Sequence, residues 1–166
     1  MIVRVSTVLP APIERAWTML VDWERQADWM RDADRVDVRT AHREGVGVIV
    51  DVRTRVLNVP AFTEELRVVA WGPPTLLRIE HGSFVHGIGE WRLTPVARGD
   101  RRGTQFTWEE HLSIGVPVIG PLALAAYRPF MAMLMRGSLR NLRALLVDRS
   151  SNSKDAGPVR QDDRRA

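Results

Sequence analysis

The sequence predicts an α+β fold in which a curved antiparallel sheet carries one long helix in its concave face. Three observations carry this. An alternating strand at Ile2–Leu9 comes first, followed by a Trp-rich helical stretch at Ala11–Met30. A run of alternating strands then extends from Arg35 to Ile114, and one long amphipathic helix runs from about Pro121 to Val147. A sheet that grips a helix in this way often leaves space between the two, so the order of elements points toward binding of an apolar molecule.

Each element has a local reason. In Ile2–Leu9, residues Val3, Val5, Thr7 and Leu9 share one face of a strand. Pro10 ends it, and Pro12 suits the first turn of a helix, where a missing N–H costs little. Ile13, Ala16, Trp17, Leu20 and Val21 recur at helical spacing, and Asp22 is placed to cap a second short helix carrying Trp23, Ala27 and Met30. Val36 and Val38 mark an edge strand. Along Gly45–Leu57, residues Val46, Val48, Val50, Val52, Thr54 and Val56 occupy one face, with Asp51, Arg53 and Arg55 on the other.

The same inward phase runs through Phe62, Glu64, Leu66 and Val68. After the turn Gly72-Pro73-Pro74 it is taken up by Leu77, Ile79 and His81, then by Gly87, Gly89, Trp91 and Leu93. Beyond a polar turn at Arg98–Gly103, it continues through Thr104, Phe106, Trp108, Glu110 and Leu112. Gly87-Ile88-Gly89 is a strand feature whose missing side chains leave room for the helix or a ligand. The final helix buries Met131, Leu134, Met135, Leu139, Leu142, Leu145 and Leu146, opposite Arg136, Arg140 and Arg143. The composition then turns polar, so residues 1–148 form one domain and Arg149–Ala166 is expected to be a disordered tail.

Composition narrows the function classes. A chain of 166 residues is long enough for a core without disulfides, and it has no cysteine, hence no thiolate metal site and no Cys nucleophile. The start lacks the apolar region of a signal peptide, and a cytoplasmic location is expected. The net charge is +4, carried almost wholly by dispersed arginines. No clustered basic face for nucleic acid emerges from that spread. Pro117–Met135 approaches the length of a membrane span, but Pro117, Gly120, Pro121, Arg128 and Pro129 interrupt it. It reads as a lid over the core, with transient membrane contact left open. His42, His81, His86 and His111 are scattered, no metal-binding or nucleotide-binding motif occurs, and no cofactor is expected.

Several segments together resemble the polyketide cyclase/dehydrase branch of the START-like (SRPBCC) superfamily, whose helix-grip fold is shared with the birch-pollen allergen group. They are Pro12-Ile13-Glu14-Arg15-Ala16-Trp17 with Leu20 and Asp22-Trp23, and Asp28-Trp29-Met30. Further on come Gly89-Glu90-Trp91-Arg92-Leu93-Thr94-Pro95, then Gly103-Thr104-Gln105-Phe106-Thr107-Trp108, and the final helix with Arg136, Ser138-Leu139-Arg140 and Leu142. The resemblance implies about seven strands curled around the last helix and a deep cavity for lipids, polyketides, sterols or quinones. It also implies a bacterial setting and supplies no universal catalytic residues.

Candidate site residues therefore come from the strand phase. Glu64, His81 and Glu110 point inward among apolar neighbours, where burial moves carboxyl and imidazole pKa values toward those of useful acids and bases. Two alternatives stand beside this. A bulge between Phe84 and Gly89, or near Glu109, would place Glu109 or His111 inside instead, and Glu64 could pair with a cross-strand Arg. Val48, Val50, Val52, Phe62, Leu66, Ile79, Trp91, Phe106, Trp108, Met131 and Met135 are expected to line a ligand space of about 300–1,000 Å³ with its entrance near Pro117–Met135. Trp17, Trp23 and Trp29 read as packing for the short helices. Three functions fit this reading: a carrier of a hydrophobic small molecule, a cyclase or dehydratase using Glu64, His81 or Glu110, and a protein-interaction module.

Overall fold

The computed structural model describes residues 1–56, 59–82, 86–98, 101–113 and 119–155. Its elements are β1 (Ile2–Leu9), α1 (Ile13–Leu20), a 3₁₀ helix (Trp23–Asp28), β2 (Ala33–Val38), β3 (Ile49–Val56) and β4 (Val59–Gly72). They are followed by β5 (Leu76–Gly82), β6 (His86–Arg98), β7 (Arg101–Ser113) and α2 (Ile119–Asp155). All seven strands form one antiparallel sheet in the order β1-β7-β6-β5-β4-β3-β2. Strands β2 to β7 meander between neighbours, while β1 joins the far side of β7. This is the curved half-barrel and long C-terminal helix of a helix-grip fold.

The inward phase read from sequence holds across the sheet. Val3, Val5, Leu9, Val36, Val48, Val50, Val52, Leu66, Val68, Leu77, Ile79, Trp91, Leu93, Phe106 and Trp108 are all buried in one core with Met135, Leu139, Leu142 and Leu146 of α2. Asp51, Arg53 and Arg55 point the other way, and Arg53 and Arg55 both pair with Asp34 on β2. The β6–β7 pairing runs without a register shift from His86↔Ser113 to Arg98↔Arg101. The phase reversal considered near Glu109 therefore does not occur. Phe84 lies outside the described residues.

Five local expectations need correcting. Val46 is not on the strand but 62% exposed in a turn, because Gly45 and Gly47 take positive φ values of 96° and 92° and delay β3 to Ile49. Asp22 occupies the cap position of the 3₁₀ helix without a side-chain cap; its backbone carbonyl accepts from Arg25 N–H instead. Helix α2 begins at Ile119 and continues to Asp155, so residues 149–155 are helical, and the first strong helix breakers after it in sequence are Gly157 and Pro158. The rest of the expected tail, 156–166, and Pro117 lie outside the described residues, as do Leu57 and Ile114 at the expected ends of two strands. Gly87 and Gly89 make room for neither helix nor ligand. A Cβ at Gly87 would lie 1.9 Å from the His111 carbonyl oxygen, and one at Gly89 would meet the Glu110 carboxylate. Trp29 does more than pack the short helices, since its ring meets Trp91 and Trp108 on the sheet.

The helix is fastened by polar contacts as well as by its apolar stripe. Gly137 has no room for a Cβ, which would fall 2.3 Å from the Arg31 side chain. That close approach lets Arg31 N–H donate to Ser138 Oγ at 3.0 Å, while Ser138 Oγ–H donates to Leu134 O. Asn141 Nδ2 donates to Trp29 O. These contacts tie α2 to the segment between the 3₁₀ helix and β2.

Candidate functional site

Glu64, His81 and Glu110, singled out by strand phase, meet in the structure. Glu64 on β4 and His81 on β5 lie on adjacent strands, where Leu66 pairs with His81. Glu110 belongs to β7, one strand further away, with β6 between. Strands repeat about every 4.8 Å, so a side chain on β7 reaches one on β5 only if β6 leaves the way clear. It does: His81 pairs with Gly87 and Glu110 with Gly89. A Cβ at Gly89 would sit 2.9 Å and 3.1 Å from the two Glu110 carboxylate oxygens. Gly89 of β6 thus leaves the room through which Glu110 reaches the histidine.

His81 Nδ1 lies 3.0 Å from Glu64 Oε1, and Nε2 lies 3.1 Å from Glu110 Oε2. The other oxygen of Glu110, Oε1, accepts from Trp108 Nε1–H at 2.7 Å. Burial alone would lower the imidazole pKa, but hydrogen bonds to Glu110 and Glu64, together with their charges, outweigh it and raise the value to about 10. His81 is therefore an imidazolium at neutral pH, donating from both ring nitrogens. Among the described residues Glu64 has no arginine partner of the kind considered from sequence; its partner is His81. Glu109 and His111 stay on the outer face, with Glu109 bonded to Arg4 and His111.

Two residues of this neighbourhood escaped the sequence reading. Asp32 sits between the 3₁₀ helix and β2, where no periodicity reports which way a side chain points. Its carboxyl pKa is raised chiefly by burial, and further by the charges of Glu110 and Glu64. Yet Asp32 keeps part of its surface accessible. Among the described residues no side chain hydrogen-bonds its carboxylate. Tyr127 on α2 is the second: burial and the charge of Asp32 push its phenol pKa up, while the residue remains 42% exposed. No sequence signal marks Tyr127 apart from its place within the apolar run before Met131.

The aromatic wall beside these groups is made by Trp29, Trp91 and Trp108, whose ring centroids lie 5.9–6.1 Å apart. Phe106 packs edge-on against Trp91. The indole N–H groups of Trp29 and Trp91 are buried without an acceptor. Of the expected lining residues, Met131 is partly buried against the core, and Phe62 departs from expectation. Phe62 is in the inward phase but 50% exposed, because its end of β4 lies beyond the part of the sheet that is covered. Two hollows, of about 200 Å³ at Arg15, Met19 and Leu146 and about 380 Å³ at Pro10, Val96 and Arg143, are lined by none of Glu64, His81 or Glu110. The expected entrance includes 117–118, outside the described residues. Among the described residues no group of three or more His, Cys, Asp or Glu side chains is arranged to hold a metal ion. No described helix is long and apolar enough to cross a membrane.

A family model described as polyketide cyclase / dehydrase and lipid transport matches residues 1–147. Solved structures share the fold. One from Thermus thermophilus superposes with a TM-score of 0.71 at 19% identity, covering 90% of this chain and 99% of that one. A protein from Nitrosospira multiformis gives 0.66 at 15% identity, covering 91% and 99%. One from Deinococcus radiodurans gives 0.60 at 16%, covering 87% and 95%. No curated protein matches the sequence.

Proposed function

Since the chain belongs to the polyketide cyclase/dehydrase and lipid transport family, we propose that it binds a hydrophobic small molecule between the concave face of the sheet and α2, with the Glu64–His81–Glu110 array receiving the molecule's polar end. The observation that supports this most is Asp32. A carboxyl group held deep beside that array, partly accessible and without a side-chain partner, is expensive unless something polar comes to meet it. The apolar walls are Val50, Val52, Leu66 and Ile79 on one side and Trp29, Trp91 and Trp108 on the other. A carrier role needs nothing more than these parts.

A second reading, acid–base catalysis of a ring closure or dehydration, is favoured by one specific feature. Asp32 has its pKa raised, and His81 is held protonated between Glu64 and Glu110, whose charges act on Asp32. In that reading His81 is an acid or an electrostatic anchor, because an imidazolium cannot act as a base. Asp32, deep and raised, is the candidate base.

The test is uptake of the neutral apolar dye Nile red, read by energy transfer from tryptophan. Wild type should bind it, and Val50→Trp, checked for fold by circular dichroism, should lose at least tenfold in affinity because the new ring fills the space. Absence of dye uptake by wild type, with no small molecule released from the native protein in mass spectrometry, would remove the binding reading. Asp32→Asn separates the two roles: a carrier still binds the dye, whereas a cyclase that uses this carboxylate as its base binds and loses turnover.

A further inference from the structure

The binding proposed above leaves the chemistry of the ligand's polar end open, and the charge balance of the site restricts it. Three carboxyl groups, Asp32, Glu64 and Glu110, lie within electrostatic reach of one another, and one cation, His81, stands among them. Both nitrogens of that cation are already committed, one to each glutamate. Among the described residues no arginine or lysine hydrogen-bonds any of the three. Arg53 and Arg55 are held by Asp34 on β2, and Arg55 Nε is buried without a hydrogen-bond partner.

Asp32 is an observation independent of the Glu–His–Glu array. It comes from a different segment, its residue is partly accessible, and among the described residues its carboxylate makes no hydrogen bond to the array. Among the described residues its own backbone N–H is the hydrogen-bond donor that acts on its carboxyl, and burial opposes its charge. Such a carboxylate gains most from a donor that also brings positive charge. The Trp108 ring, bonded to Glu110 through its N–H, and the Trp29 and Trp91 rings packed on it add negative faces of the kind that stabilise an organic cation.

We propose that the site selects an apolar molecule ending in a protonated amine, seated between Asp32 and the Glu64–His81–Glu110 array, and that it rejects fatty acids and other apolar anions. The ammonium N–H groups donate to Asp32 and to the one oxygen of Glu64 that His81 leaves free, while the hydrocarbon or ring portion lies along the aromatic wall. An anion drawn to the unpaired Trp29 and Trp91 N–H groups would have to enter the field of three carboxyls.

The experiment is displacement of Nile red at pH 7 by three molecules of equal chain length: decylamine, decanol and decanoate. Decylamine should displace the dye at a concentration at least tenfold below that needed for decanoate, with decanol between them. Asp32→Asn and Glu64→Gln, each close in shape to the residue replaced, should shrink the amine-to-decanoate ratio at least threefold. A wild-type ratio of three or less, or an unchanged ratio in both folded variants, overturns the proposal. Dye binding with decanoate preferred would overturn it while the binding site itself stands. Failure of the dye and of all three competitors would instead sink the binding reading beneath it.

Discussion

The histidine between two glutamates makes protein stability depend on pH in a definite direction. In the unfolded chain His81 has an ordinary pKa of about 6.5, and in the folded protein it rises to about 10. The folded state holds the proton more tightly, so the contribution is fully present below about pH 6.5 and is lost as pH rises through about 10. At about 1.36 kcal/mol per pKa unit the ceiling is about 5 kcal/mol, of which about 3 kcal/mol disappears between pH 6.5 and 9. Local relaxation around a neutral imidazole, which still donates one hydrogen bond, reduces this. The assay is urea unfolding of wild type and His81→Gln at half-unit steps from pH 6 to 10. Gln retains hydrogen bonding to the carboxylates but does not titrate, so subtracting its profile removes the groups that are not coupled to His81. Wild type should lose about 2–3 kcal/mol more than the variant between pH 6.5 and 9. Profiles that stay parallel to within about 0.5 kcal/mol would show that His81 is not held as an imidazolium, and the charge balance argued for the site would fall with it.

Two further outcomes follow from contacts around the site. Gly89→Ala should destabilise by about 1–3 kcal/mol and lower the His81 pKa in an NMR titration, because the new methyl pushes Glu110 away from the ring; an unchanged His81 titration would refute this role of Gly89. Ser138→Ala should cost about 1–3 kcal/mol in urea unfolding, since Arg31 N–H loses its acceptor under the helix; a change below about 0.3 kcal/mol would mean that α2 is held by its apolar stripe alone.

Much of the site was legible because strand periodicity is strict. Along β7 the inward series Thr104, Phe106, Trp108, Glu110 and Leu112 contains no interruption, so one correct assignment of phase fixes all five, and each is buried. The same argument put Glu64 and His81 on the inside and left their partnership to the sheet order. What periodicity could not supply was the depth of each position. Phe62 keeps the inward phase and is half-exposed because nothing describes, in a strand's own residues, where its covering helix ends. Asp32 was invisible for another reason. It precedes a register shift between Ala33 and Arg35, at the join of a 3₁₀ helix and an edge strand, where neither a 3.6 nor a 2.0 repeat applies. Trp29 was assigned to its own helix because its sheet partners, Trp91 and Trp108, are more than sixty residues away in sequence.

The pairing of β1 with β7 has a consequence for how the chain is made. Ile2 pairs with His111 and Leu9 with Thr104, so the first strand to leave the ribosome waits for the last strand of the sheet. At ordinary translation rates of 5–20 residues per second, about a hundred residues take roughly 5–20 s to appear. Strands β2 to β6 are joined neighbour to neighbour and can pair as they emerge, whereas Val3, Val5 and Leu9 have no sheet to bury against during that interval. The nascent N-terminal strand is thus a natural place for a holding chaperone to bind. A chain that stalls before β7 would leave the ribosome with two unfilled edges, that of β1 and that of β6.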